Sequence, residues 1–305
     1  MKKKPFVTGP WPKLQRHWDI RAACNFIGGG TGTGLLLAAA AAAAAGQTFA
    51  PALAAGLCFI ACGLTMVLLE IGRPWRAFNV FFHPQTSWMT REGVVALPLF
   101  GCGGLALLIH WAGGPGQVVA GLTGLAALTA CGFLYCQARI LRAAKGIPAW
   151  REETLTPFLL SSGLTEGFGI LAGLAAIGLA PSWAPLAALG LGLLRLAAWQ
   201  NYGKGLSARG VPAASMAAIQ NIGPAFLIVG HGLAALLLAT SVPWPGLAAL
   251  SAIGGLLLAA AGWWAKQTIV MKAAVTRGLS IPRTPVRGSG TSRLVNKPNW
   301  ETEAA

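Results

Sequence analysis

Two glutamates, Glu70 and Glu92, bracket a segment unlike anything else in the chain. From Leu69 to Gly93 it reads LEIGRPWRAFNVFFHPQTSWMTREG, set between two long stretches almost free of charge. Carboxylates beside arginines can hold or exchange a proton, depending on burial and on which charges face them. Glu70 lies at the C-terminal end of an apolar stretch, where the helix macrodipole disfavours a negative charge. Arg73, three residues on, can pair with it, so a structural ion pair stands beside a proton-exchanging role. Glu92 has an easier structural account. Thr90 reads as an N-cap, and an acid in the first helical turn is favourable. Trp88 and the phenylalanines suit an aromatic interfacial belt. Taken with Arg73, Arg91 and the two carboxylates, they also suit a polar pocket with aromatic walls, fit for a flat amphipathic ring whose tail lies in lipid.

A second polar set lies inside the apolar stretches. Glu166, Arg195 and His231 fall at similar depth on successive spans. Ionisable residues at that depth do not face lipid without cost. They read either as an internal Glu166–Arg195 ion pair with His231 as a bystander, or as part of a proton path.

The elements that must position these groups are membrane spans. The chain has 305 residues, 55% hydrophobic and 10% charged, against roughly 25% charged in soluble domains. Its mean hydropathy is +0.61. Apolar runs near the roughly 20 residues needed to cross a bilayer recur along it. Spans are expected at 21–45, 50–71, 93–112, 117–142, 155–180, 183–204, 217–240 and 246–270. The fold class is therefore an all-α polytopic membrane protein of eight transmembrane helices in two four-helix halves. A segment 1–20 precedes the domain 21–272, and an extended tail 273–305 follows.

Lysine and arginine orient it. They cluster in the N-terminal segment, in the second, fourth and sixth connections, and from Lys266 to Lys297, while the other connections have none. The positive-inside rule then puts both termini in the cytoplasm. The formal charge of +15 thus reads as a topology signal and not as a nucleic-acid footprint, since no reader motif accompanies it. The first apolar run is longer than a signal-peptide core. The six cysteines include no C-x-x-C and read as small buried packing residues, with no metal site of their own. The four histidines are not paired at matching depth, so no haem is expected. Gly28 to Gly34 superficially matches a nucleotide-binding pattern, but inside a span it reads as a surface for close helix packing. The tail after Ala273 is expected to lie on a partner, with Leu294 and Trp300 as anchors.

The motif LEIGRPWRAF…TSWMTRE resembles the signature loop of the integral membrane anchor subunits of molybdopterin oxidoreductases, the NrfD/DmsC-like group that includes the polysulfide and dimethyl sulfoxide reductase anchors. GIPAW (146–150) with TLTPFL, RLAAWQNY (195–202) and NFIGGGTGTG (25–34) are similar to further motifs of that group, and the likeness spans the whole domain. The resemblance implies an eight-helix subunit without haem in a bacterial cytoplasmic (inner) membrane. Such a subunit exchanges electrons between a partner iron–sulfur subunit and menaquinone or ubiquinone, while a molybdopterin catalytic subunit carries the substrate chemistry. It implies quinone-binding roles for Glu70 and Glu92, and for Asn25 and Tyr135 in the first and fourth spans. Gly28 stands where that group would have a histidine. With the signature loop cytoplasmic, a cytoplasm-facing catalytic module is expected, acting for example on sulfite or on phenylacetyl-CoA. The alternative is a proton-coupled transporter or proton-translocating subunit built on Glu166, Arg195 and His231.

Overall fold

A computed structural model describes residues 11–71 and 74–278. The helices are α1 (Ile20–Ala44), α2 (Ala50–Glu70), α3 (Trp88–Trp111), α4 (Gly116–Ala143), α5 (Leu155–Ala176), α6 (Ala184–Arg209), α7 (Ala213–Leu227), α8 (Ala234–Ser241) and α9 (Ala248–Gln267). A six-residue π-helical turn, Ile228–Leu233, joins α7 to α8 in one continuous span, and a five-residue one, Thr268–Lys272, extends α9. The second connection carries a 3-10 helix, Pro74–Phe82. Among the described residues seven helical spans are long and apolar enough to cross a membrane. The expected eight thus reduce to seven on that measure. The exception is α6, whose 26 residues suffice in length. Arg195, Gln200, Asn201 and Lys204 dilute its apolar character.

Helix α1 is the hub. It packs against α2, α4, α5 and α9, and its most apolar window is 72% buried against 28% for α2. Its glycines make that possible. A Cβ on Gly28 or Gly32 would run into the backbone of α2 at Phe59 and Gly56, and one on Gly34 would meet Gly163 O and Gly167 of α5. Backbones that approach so closely gain van der Waals contact that lipid tails cannot match. The glycine run is therefore a packing surface, as its place inside a span suggests. Outward-facing leucines such as Leu97, Leu128 and Leu236 stay exposed, as a lipid-facing surface requires.

The two ends of the described chain meet. Leu14 and Val275 form an antiparallel bridge, with Gln15 N–H donating to Ala274 O at 2.9 Å and Thr276 N–H to Lys13 O at 2.7 Å. Arg277 N–H reaches Gly146 O at 2.9 Å. The 146–151 loop, the two described ends and the α6–α7 connection share one face, since Arg209 pairs with Glu152 and Ser215 Oγ donates to Ala273 O. The described start of the tail lies on the chain's own N-terminal segment, where a partner's surface was expected. Residues 279–305, with Leu294 and Trp300, lie outside the described residues.

Two local expectations change. Helix α3 begins at Trp88, and its N-cap is Ser87, whose Oγ accepts from Thr90 N–H at 3.3 Å. Thr90 is inside the helix and Glu92 lies beyond the first turn, so the favourable first-turn role assigned to this acid does not apply. Of the cysteines, Cys136 alone is buried, while Cys58, Cys62 and Cys131 are exposed. A small, weakly polar thiol is as compatible with lipid as with a core.

The packing of α1 on α5 generates a test. Gly34→Ala should cost about 1–3 kcal/mol, because the added methyl meets backbone that has no room to yield. Gly101→Ala, with nothing within 4 Å of its Cβ, should be neutral or slightly stabilising. Thermal unfolding in detergent compares the two, and equal midpoints would contradict the packing assignment.

Candidate functional site

The ends of α1 and α2 and the start of α3 enclose a cavity of about 220 Å³, lined among others by Trp18, Asn25, Glu70, Met89 and Glu92. Asn25, Glu70 and Glu92 come from three different helices, so the fold brings these three sequence-selected residues to one place. Glu92 is buried. Its Oε1 accepts from Asn25 Nδ2 at 3.2 Å and from Gln137 Nε2 at 3.0 Å. Gln137 Nε2 also donates to Asn25 O at 3.0 Å. This amide, on α4, locks α1 and α3 in register. Its access depends on Gly29, since any Cβ there would collide with the Gln137 carboxamide. Asn25 Oδ1 and Gln137 Oε1 are buried with no hydrogen-bond partner. Buried acceptors left in that state carry a desolvation cost, which a ligand or water relieves.

Trp18 supplies an aromatic wall. Gln15 fixes it from both sides, accepting from Trp18 N–H at 2.8 Å and donating to Trp18 O at 2.7 Å. Its ring stacks on Trp150 at 5.0 Å, and Trp150 Nε1 donates to Ile269 O at 2.8 Å. The wall is thus buttressed by the 146–151 loop and by the π-turn after α9. Just outside the spans, Asp19 caps α1 and is held below the usual carboxylate range by Arg21, which donates to it from both backbone and side chain. Arg21 Nη1 also caps the last turn of α2 through Leu69 O at 3.1 Å. In the 146–154 loop, burial works against the Glu152 carboxylate, but Arg209 at 2.7 Å outweighs it and holds the pKa below the ordinary value.

The remaining loop candidates form a separate stack. Arg91 lies over the Trp88 ring at 4.2 Å, Arg139 over the same ring at 4.8 Å, and Tyr135 packs on Trp88 edge-on at 5.8 Å. Arg91 also donates to Pro84 O and Gln85 O, both at 2.8 Å. These residues hold the second connection against α3 and α4 and do not line the cavity. Tyr135 is exposed. Gln137, two positions on, is the α4 residue that reaches Glu92. Arg73 lies outside the described residues. Sequence reasoning missed Gln137 and Trp18. A lone glutamine inside an apolar span was the available signal for the first, whereas nothing in the pattern marks the second.

The deeper set is built differently from the expectation. Glu166 pairs with Lys266, Nζ to Oε2 at 2.8 Å, and both are buried. Lys266 had been counted with the basic tail, but α9 carries it into the interior, where it also donates to Phe26 O at 3.0 Å. Thr31 and Ser162 hydroxyls donate to Glu166 at 2.8 and 2.9 Å, and Trp263 Nε1 donates to Thr31 Oγ1 at 2.9 Å. Arg195 makes no ion pair with Glu166. Its Nε donates to His231 Nε2 at 3.0 Å and its Nη1 to Leu258 O at 2.8 Å. His231 Nδ1 contacts Phe226 O at 2.7 Å, which makes Nδ1 the protonated nitrogen and Nε2 the acceptor. Gly262 separates the halves of this set, since a Cβ there would meet both Glu166 Oε1 and Arg195 Nη1. Glu166, Arg195 and His231 therefore do gather, with Lys266 as the missing partner.

No group of three or more potential metal ligands occurs among the described residues. No protein-family model and no curated protein matches the chain.

The Glu166–Lys266 pair predicts a thermodynamic cycle. Lys266→Met should destabilise the protein by about 3–5 kcal/mol, because it strands a buried carboxylate. Adding Glu166→Gln should recover much of that loss. Thermal melting of both variants in detergent is the measurement, and a double variant no more stable than the single one would exclude the pairing as the source of the cost.

Proposed function

We propose that this chain is the membrane anchor and quinone-reactive subunit of a multi-subunit molybdopterin and iron–sulfur oxidoreductase, of the NrfD/DmsC-like kind. The observation that carries the proposal is the convergence of Asn25, Glu70 and Glu92 on one cavity at the basic face. The residues present suit a quinone headgroup. A space of about 220 Å³ is below the 300–1,000 Å³ of drug-sized pockets, which fits a single ring with its isoprenoid tail outside. Trp18 and Phe26 offer flat walls, and Glu92, Glu70 and Asn25 offer polar ends. When bound, a quinone supplies two-electron redox chemistry coupled to two protons. The chain's own part is to orient the ring, keep bulk water from it, and hold protons at the Glu92 and Glu70 carboxylates. The electrons pass to or from an iron–sulfur subunit docked on the same face, with a molybdopterin catalytic subunit beyond it.

We read α6 as the eighth span, in a bacterial cytoplasmic membrane with both termini inside. At 1.5 Å per residue its 26 residues exceed the thickness of the hydrocarbon core. The bridge between Leu14 and Val275 supports an even number of crossings, because seven would leave these two bridged residues on opposite faces. The concentration of Lys and Arg on that face supports its being cytoplasmic.

Two expectations test this reading. Glu70→Gln and Glu92→Gln should leave the complex assembled while slowing electron exchange with quinone analogues at least tenfold. Unchanged quinone kinetics with both carboxylates neutralised would remove the site. Copurification separates the reading from a proton-coupled transporter, since an anchor brings iron–sulfur and molybdenum partners with it. For topology, cysteines placed in the 113–116 and 241–246 turns should react with impermeant reagents from outside, and a reporter fused after Ala305 should read cytoplasmic. The reverse pattern would invert the orientation and the expected location of the partners.

A further inference from the structure

Away from the cavity, the Trp88 stack brings two cations together without an acid. Arg91 stands at the start of α3 and Arg139 near the end of α4. Both guanidiniums lie over the one indole, 4.2 and 4.8 Å from its centre. Stacking occupies the face of a guanidinium and leaves its edge donors for other partners. Arg91 spends Nε on Pro84 O and Nη2 on Gln85 O, so Nη1 is uncommitted. Arg139 makes no hydrogen bond and no ion pair among the described residues. Its Nε is enclosed and unpartnered, which pins the stem and leaves the Nη atoms as the accessible donors. Glu92, beside Arg91 in sequence, turns inward to Asn25 and Gln137, and Glu153 pairs with Arg142 at 3.6 Å.

The two arginines also stand at the head of the outward faces of their helices. On α3, Val94, Leu97 and Leu105 follow Arg91 at helical spacing, and on α4 Tyr135, Cys131 and Leu128 precede Arg139 in the same way. All six are exposed. Because α3 and α4 pack side by side, these faces form one apolar flank with the arginines at its end. Just beyond, the Pro74–Phe82 helix exposes Trp75, Phe78 and Phe82, aromatics of the kind that gather where hydrocarbon meets water.

We propose that Arg91 and Arg139 hold the phosphate of an anionic glycerophospholipid whose acyl chains lie along this flank. The edge donors of a guanidinium match the paired oxygens of a phosphodiester. Basic sites at the ends of spans are where such headgroups settle. The acidic surface of a soluble protein would answer the charge but leave the apolar flank below it unmatched. A lipid answers both. Bound there, it bridges α3 and α4 and steadies the connection that Arg91 holds at Pro84 and Gln85.

The test compares two lipids with identical acyl chains, phosphatidylglycerol and phosphatidylcholine. The full-length chain, purified in detergent with the subunits that accompany it, is titrated with each and read by native mass spectrometry. The anionic lipid should bind about thirtyfold more tightly, the contribution of two arginines at a membrane surface. Equal binding of the two lipids by the unaltered chain would overturn the proposal. Arg139→Gln should cut the preference about fivefold. Lys204→Gln, which removes an exposed charge near the end of α6, should leave it nearly unchanged. An equal loss in these two variants would mean diffuse attraction to the basic face and would overturn the site. A large excess of inorganic phosphate, which has no chains, should leave the lipid in place. Displacement by phosphate would make this a free-anion site and overturn the lipid assignment. If Arg91→Gln and Arg139→Gln together release an accompanying subunit while the lipid preference persists, the pair belongs to a protein surface and the proposal fails.

Discussion

Polar groups taken into hydrocarbon have no water to fall back on, so each must find its partner within the protein. This constraint governs the first span. The α1 carbonyls of Asn25 and Phe26 accept from Gln137 and Lys266, and the glycines at 29 and 30 leave room for those side chains. A larger residue at either glycine would displace the amide that orients Glu92 or the ammonium that neutralises Glu166. The same glycine-rich helix that brings α2 and α5 close also admits the polar groups of α4 and α9. Packing and chemistry are thus carried by the same few positions.

Two polar centres result, meeting α1 at Asn25 and at Thr31, about 1.7 turns apart. One borders the cavity at the basic face, where Glu92 accepts from Asn25 and Gln137 while the two amide oxygens lack partners. The other is enclosed, and Glu166 and Lys266 are matched in charge and hydrogen bonding. Arg195 and His231 extend it, with Arg195 Nη2 left unpaired.

Much of this was legible in the sequence, and the reasons are specific. Glu70 advertised itself by standing at a helix end where a negative charge gains nothing. The glycine run could only be a packing surface once it was placed inside a span. Lys266 lay inside the expected span 246–270 yet was counted with the basic tail, because hydropathy alone cannot tell a snorkelling lysine from a buried one. Gln137 was overlooked because its neighbour Tyr135 drew the assignment. On α4 two positions amount to about 200° of rotation, which puts one side chain on Glu92 and the other on Trp88. Trp18 was invisible because its place depends on contacts between segments more than 250 residues apart, Leu14 with Val275 and Gln15 with Val270. Arg195 and Glu166 were paired by depth, but depth fixes neither rotation about the helix axis nor the partner on a third helix.

The central claim is that the cavity between α1, α2 and α3 is where a quinone-type ring is bound. The most direct measurement is photolabelling of the full-length protein in native membranes with a light-activated quinone analogue, followed by mapping of the modified peptides. The account predicts label on the segments around Trp18–Phe26 and Met89–Glu92, displaced by excess unlabelled analogue. Displaceable label confined to other segments, such as those around His231 or His110, would contradict it.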